Sequence, residues 1–352
     1  MEKRIRQSVG IDCSKDHLDC SFGIMHASFD EVILSNSKFT NNAAGLKKLL
    51  LWSKKLMNTD CEVVFLMEAT GVYHERAALF LFESKNKVAV LLPNKVKAFA
   101  GTLKVKTVND KECAKIIALF GLEKNVDPWS PPQEVFNQIR QLTRERDQLL
   151  LERTMKKNQL HAEKSGAWPN SGSIKRIEQV VKILNKQIKE IETEIKDLIN
   201  ANPFLKEKMK KLCSIKGVGM ITAAIVVAET NGFNLIRNKS QLVSYAGLDV
   251  IEKQSGTSVR GKTRISKRGN KYLRKCLYFP AFTSINHYEP SKNLYTRIIS
   301  KTGLKMKGAV AVQRKILVLI YVLWKKDQFF DPDYHKAKQE EPHQDAALHE
   351  LA

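Results

Sequence analysis

Four residues of types able to do phosphodiester chemistry stand at marked places in the chain. Asp12 closes the strand-like run VGID and Glu68 the run VVFLME, Asp110 heads the helix-forming DKECAKIIALFG, and Ser255 opens SGTSVRGKTRISKRGNKYLRK. Carboxylates at strand ends can hold two hard divalent cations about 4 Å apart, which together stabilise the attacking and leaving oxygens of a phosphodiester. Glu68 is the most informative, because a charge that ends an apolar run is costly unless a metal or a partner compensates it. One acid at a strand end is more often a cap or a surface residue, whereas three in a consistent fold order point to a site. A serine hydroxyl attacks phosphorus only when a base or metal takes its proton and cations accept the developing charge. Ser255 has the cations beside it but no local base, and Ser-Gly is also the ordinary opening of a polar turn.

Residues 255–275 carry eight Lys and Arg, and no Asp or Glu occurs from 253 to 288. A solvated charged face mixes signs. A single-sign segment suits a phosphate backbone, and each phosphate neutralised steepens the salt dependence of binding by about 0.9 in log–log slope. Arg260, Lys262, Arg264, Lys267, Arg268, Lys271 and Arg274 are the candidate contacts. Upstream, SIKGVGMITAAIVVAE sets Gly217 and Gly219 between two helices, the signature of a helix-hairpin-helix whose amides hold a phosphate without reading bases. A plain interhelical turn has the same composition.

The whole composition agrees with a polyanionic partner. The 352 residues carry a formal charge of +22, which puts nucleic acid ahead of an anionic membrane. The longest apolar run, 316–324, is nine residues, about half of a bilayer span, and reads as a buried helix. The first residues lack the basic-then-apolar pattern expected of a secretory signal. Six scattered cysteines without a CxxC pair argue against a disulfide framework and a zinc ribbon. A cytoplasmic protein is expected, with no membrane partner.

These residues need a frame. Residues 8–13, 18–24 and 31–34 look like three short strands forming a meander; a helix from about 42 then leads to a buried strand at 61–67, and helix 71–83 with strand 88–92 repeats that unit. Three strands followed by alternating helix and strand is the order of an RNase H-like (RuvC-like) α/β domain, in which the first and fourth strands are neighbours. Asp12 and Glu68 would then meet although 56 positions separate them. After PWSPP at 128–132 the chain turns helical. Ile177, Val181, Leu184, Ile188, Ile191, Ile195 and Leu198 keep a 4-3 alternation, the seam of a coiled coil, and SGAWPNSGS before them predicts an antiparallel coiled-coil hairpin; two helices of a bundle would read almost the same. The expected division is a RuvC-like domain at 1–130, the hairpin at 131–205, a mostly α-helical carboxy-terminal domain with the helix-hairpin-helix at 206–330, and a disordered acidic tail at 331–352.

Taken together, GIDCSKDHLD, MEATGVYH, KTVNDKECAKIIALFGLE, SIKGVGMITAAIVVAE, YAGLDV, QSGTSVRG and ISKRGNKYLRKCLY resemble the motifs of the DEDD transposases of bacterial insertion sequences, family one-ten, the bridge-RNA-guided serine recombinases. The resemblance runs to about residue 326. It implies a composite active site in which Asp12, Glu68 and Asp110 bind Mg²⁺ and Ser255 is the nucleophile that becomes linked to cut DNA. It also implies strand exchange between element and target DNA directed by an element-encoded guide RNA, and a homo-oligomer, dimer or tetramer, held through the hairpin. One position departs from the family. Its second Asp, three residues after the first in the third motif, is Cys113 here, and Glu112 points off that helical face. Three acids are expected to hold one metal. Two rivals stand beside this expectation: a catalytically decayed nucleic-acid-binding protein, and a RuvC-like junction nuclease working with the acids alone.

Overall fold

A computed structural model describes residues 3–334 except 70, 104–108, 235, 253, 256–258 and 262, with 254, 255, 259 and 260 described by backbone alone. The tail beyond 334 and Lys262 therefore lie outside the described residues. The chain forms two compact units, Met1–Pro131 and Pro132–Ala352.

The first unit is a five-stranded sheet of β1 (Arg4–Cys13), β2 (His17–His26), β3 (Glu31–Thr40), β4 (Val63–Glu68) and β5 (Lys87–Leu91), ordered β3-β2-β1-β4-β5. β1, β2 and β3 are antiparallel neighbours, whereas β4 runs parallel to β1 and β5 parallel to β4. That is the order and direction expected of the RNase H-like domain, with the first and fourth strands adjacent. The third strand is longer than its sequence suggests, because residues 35–40 alternate between half-buried and exposed along a sheet edge and include few strong strand formers. Helices α1 (Ala43–Leu56) and α2 (Glu75–Glu83) cover one face over Val9, Ile11, Phe22 and Phe65. Helices α3 (Pro93–Ala100) and α4 (Asp110–Glu123) cover the other over Leu66, Ala89 and Leu91.

The second unit opens with α5 (Glu134–Ser165) and α6 (Ser171–Ala201). Arg146 reaches Glu192, Arg153 reaches Asn185 and Lys164 reaches Glu178; partners that fall in reverse order make the two helices antiparallel. The buried seam of α6 is Ile177, Leu184, Ile188, Ile191, Ile195 and Ile199. At its end the seam passes from Leu198 to Ile199, as the 3.6-residue period of a straight helix requires. Then follow α7 (Pro203–Cys213), α8 (Met220–Glu229) and α9 (Lys239–Tyr245), the short strands β6 (Val250–Ile251), β7 (Gln254–Ser255), β8 (Val259–Arg260) and β9 (Arg264–Ile265), and helices α10 (Lys271–Cys276), α11 (Tyr278–His287), α12 (Glu289–Thr302) and α13 (Lys305–Lys326). The apolar run at 316–324 lies inside α13, where Ile316, Leu317, Ile320 and Trp324 enter the core. Among the described residues no helix is long and apolar enough to cross a membrane.

Candidate active site

The acidic edge is assembled by strand register and by one close helix contact. On β1, Val9, Ile11 and Cys13 enter the core beneath α1 and α2, so alternation turns Ser8, Gly10 and Asp12 toward α4. On β4, Val63, Phe65 and Met67 enter that same core, leaving Glu68 on the α4 face. Ile11 pairs with Met67 in the parallel register, so Asp12 and Glu68, the next residues, stand level at the ends of adjacent strands.

Asp110 arrives from the helix. Arg6 Nη1 donates to Leu122 O at 2.7 Å and Ser8 Oγ to Ala118 O at 2.7 Å. A Cβ on Gly10 would stand 2.1 Å from Ala114 O. Only glycine lets the backbones of β1 and α4 come this close. Each two-residue step along the strand, about 6.6 Å, matches a four-residue step back along the helix, about 6 Å. One more step carries β1 to Asp12 and α4 to Asp110. The helix begins there because the Asn109 side chain caps it, accepting from Glu112 N at 2.9 Å, and its amino-terminal dipole favours the charge of Asp110.

The electrostatics record the convergence. Burial, followed by the charges of Asp110, Glu68 and Asp19, pushes the Asp12 carboxyl up to about 6. Burial raises Glu68 as well. Among the described residues no ion pair reaches Asp12, Glu68 or Asp110. The donors are oxygens, the type that hard divalent cations take, and carboxylates gathered without basic partners fit such an ion. Among the described residues no three His, Cys, Asp or Glu close into a coordination shell; the acids stand at one edge as separate carboxylates. Cys113, one turn along α4 from Asp110, is half-buried. Its thiol is raised by burial and then by Asp12, Glu68, Asp110 and Glu112, and a protonated thiol is a poor ligand for a hard cation.

Two residues that sequence reasoning missed belong to this edge. Asp19 lies directly opposite Asp12 in the β1–β2 register, and both line a depression of about 270 Å³ together with Asp110, Lys15 and Tyr73. Asn41 Nδ2 donates to Ser14 O at 2.9 Å and to Tyr73 O at 3.0 Å, tying the turn after β1 to the loop after β4. Asp19 was legible only as one polar residue in a strand, since its partner depends on the hairpin register.

In the second unit, Ser255 lies on β7 opposite Val259 of β8, inside an outer pairing of β6 with β9. The basic segment beyond it is divided. Arg264, Lys267 and Arg268 are exposed. Arg274 turns inward, donating to Ala246 O at 2.8 Å and Gly269 O at 3.2 Å. Lys271 lies over the Tyr272 ring and Lys275 pairs with Asp147. A buried carboxylate anchors this region. Glu229 accepts from Arg144 Nε at 2.8 Å, Arg144 Nη2 at 3.0 Å and Asn270 Nδ2 at 2.7 Å. The Asn270 side chain in turn caps α10 through Tyr272 N and Leu273 N.

Gly217 and Gly219 join α7 to α8 and differ in environment. Gly217 has φ +94°, and a Cβ there would stand 2.6 Å from Pro280 O, so packing on α11 requires it; a Cβ on Gly219 would meet nothing within 4 Å. Gly219 caps α8 with no side-chain hydrogen bond to its first amides.

Comparison with known proteins places this pair of regions. Residues 9–166 match the transposase family described as DEDD_Tnp_IS110, and residues 209–296 match the Transposase IS116/IS110/IS902 family. The chain thus carries both domains of these transposases. It is a DNA recombination enzyme of a class that uses divalent metal ions. The transposase is 29% identical over 330 residues to the pilin gene-inverting protein of Moraxella bovis, covering 93% of this chain and 98% of that protein. It is also 29% identical over 154 residues to the transposase for insertion sequence element IS1111A of Coxiella burnetii, 42% of this chain and 41% of that one. The Thermus thermophilus RuvC structure covers 35% of the chain and 99% of its own length, at 16% identity and a TM-score of 0.27; the RNase H-like assignment stands on the strand topology.

Proposed function

We propose that this transposase cuts and rejoins the DNA of an insertion sequence and its target with Ser255 as the attacking hydroxyl and Asp12, Glu68 and Asp110 as the holders of Mg²⁺. The gathering of those three acids at one sheet edge supports this reading most directly. In the step proposed, Ser255 Oγ bonds to phosphorus as the bond to the leaving deoxyribose oxygen breaks. The hydroxyl proton passes to a base and the leaving oxygen takes up a proton. Rejoining is the reverse, with a different deoxyribose hydroxyl displacing the serine. Mg²⁺, when bound, supplies Lewis-acid stabilisation of charge on the phosphoryl oxygens. Asp12, Glu68 and Asp110 carry the negative charge that retains the cation.

The exposed Arg264, Lys267 and Arg268, with Arg260 and Lys262, are proposed to hold the nucleic-acid backbone, and the open amides at Gly219 to hold a further phosphate. An RNA encoded by the element directs the choice of sequence, so that the protein reads backbone and shape. The enzyme is proposed to work in the cytoplasm as a homo-oligomer joined through α5 and α6.

Ser255→Ala tests the assignment. Strand transfer and covalent DNA–protein product should vanish while DNA binding is retained; a Ser255→Ala protein that still forms the covalent product would refute it. Sequencing the RNA that co-purifies with the wild-type chain tests guidance, which fails if no element-derived RNA is recovered.

A further inference from the structure

The acidic edge is wider than the three carboxylates carried by the family's motifs. Ile11 and Met67 pair just before Asp12 and Glu68, Asp12 pairs with Asp19, and Asp19 pairs with Lys38. Register partners share a face, so Glu68, Asp12, Asp19 and Lys38 form one row across β4, β1, β2 and β3. Three consecutive members are acids, and the row ends in one ammonium.

Like charges directly opposite on antiparallel strands destabilise the pairing. Lys38 relieves only part of this, since its Nζ lies 3.3 Å from Asp19 Oδ2 and its side chain is 53% exposed, against 15% for Asp19. Asp19 shares the walls of the depression with Asp12 and Asp110. Cys113 stands one helical turn beyond Asp110, where Asp12, Glu68 and Asp110 all act on its thiol.

We propose that Asp19 is a fourth carboxylate of the divalent-cation site, supplied across the β1–β2 register, and that Lys38 is its counter-ion while no cation is bound. This rests on the reading of Asp12, Glu68 and Asp110 as cation holders. It assigns the charge that Cys113 does not supply to a strand residue. On cation binding Asp19 turns from Lys38 toward Asp12, and the exposed ammonium moves into solvent at little cost, as a surface ion pair is worth only about 0–1 kcal/mol.

Equilibrium binding of Mn²⁺ to the full-length protein, read from the electron paramagnetic resonance of the free ion, tests this without any turnover. The wild type should bind, Asp12→Asn should lose binding, and Asp19→Asn should weaken it by about tenfold or more, with Asp19→Glu recovering most of the loss. Lys38→Met keeps the carboxylate and should bind at least as tightly as the wild type. Asp19→Asn binding Mn²⁺ like the wild type would overturn the inference while leaving the site itself intact. So would a Lys38→Met protein as weak as Asp19→Asn, since Asp19 would then act only through its ion pair. Should Asp19→Asn fail to fold, the Asp19→Glu and Lys38→Met arms carry the test. A wild type that binds no Mn²⁺, or an Asp12→Asn protein that binds it equally well, would overturn the reading of the cation site itself, and with it this inference.

Discussion

The acidic edge and the basic segment use opposite means to present charge. Asp12, Glu68 and Asp110 come from positions far apart in the chain and stand on a five-stranded sheet and a helix locked to it at Gly10. The cations at 264–275 are contiguous, and they rest on two-residue strands and a short helix anchored by Glu229. Holding a small cation needs fixed positions with like charges forced together, whereas a phosphate backbone needs many positive heads that adjust. Among the described residues the first region leaves Asp12, Glu68 and Asp110 without an ion-pair partner, and only Asp19 has one, in Lys38. The second spends part of its charge on itself, turning Arg274 and Lys275 to internal acceptors and leaving Arg264, Lys267 and Arg268 outside.

The comparison breaks most severely at Gly10. Gly10→Ala would set a methyl 2.1 Å from Ala114 O and 2.3 Å from Ala118 N, both backbone atoms that cannot rotate away, so more than about 3 kcal/mol of unfolding free energy should be lost in urea titration. Next is Arg144→Ala, which strips both bidentate bonds from a buried carboxylate. Because the arginine is itself partly exposed, the expected loss is about 2–3 kcal/mol, below the range for a fully buried pair.

A smaller effect of opposite sign belongs to Asp12. Its carboxyl is pushed up to about 6 from an ordinary 3.8, so the folded, metal-free protein holds this proton more tightly than the unfolded chain. The associated stability is full below about pH 4 and is lost as pH rises through about 6. Asp12→Asn should abolish that slope and melt higher at pH 7 without divalent cation, by about 1 kcal/mol after solvent screening. Adding Mg²⁺ should raise the melting temperature of the wild type and leave the variant unchanged. The smallest test separates two arginines of one segment. Arg268→Ala should lower the salt slope of DNA binding by about 0.9 without moving the melting temperature. Arg274→Ala should lower the melting temperature, because it frees the carbonyls of Ala246 and Gly269.

Much of the acidic edge is legible in the sequence. Asp12 and Glu68 end strands whose apolar runs are unmistakable, and strand order alone made them neighbours. Asp19 was not legible, because period-2 alternation assigns a face but not an opposite number, and a slip of one residue in the β1–β2 hairpin would send it to the other side. The outer half of β3 escaped for a related reason: an edge strand with every second residue in solvent lacks the apolar signal of a central one. In the basic segment the charge was plain, while the division into inward and outward cations was not. Lys and Arg look alike in a string of letters, and whether a head meets a carbonyl or water depends on loops folding back from 245–250.

By itself the sequence determined the class of partner, the helix and strand periods, and the residue types able to hold a cation or attack phosphorus, since composition and local pattern carry those directly. Only the tertiary structure decided which acids share an edge and which cations remain free. Those outcomes depend on registers and close approaches between segments about a hundred residues apart, such as Ser8 on Ala118, and no local pattern in either segment encodes the other's position.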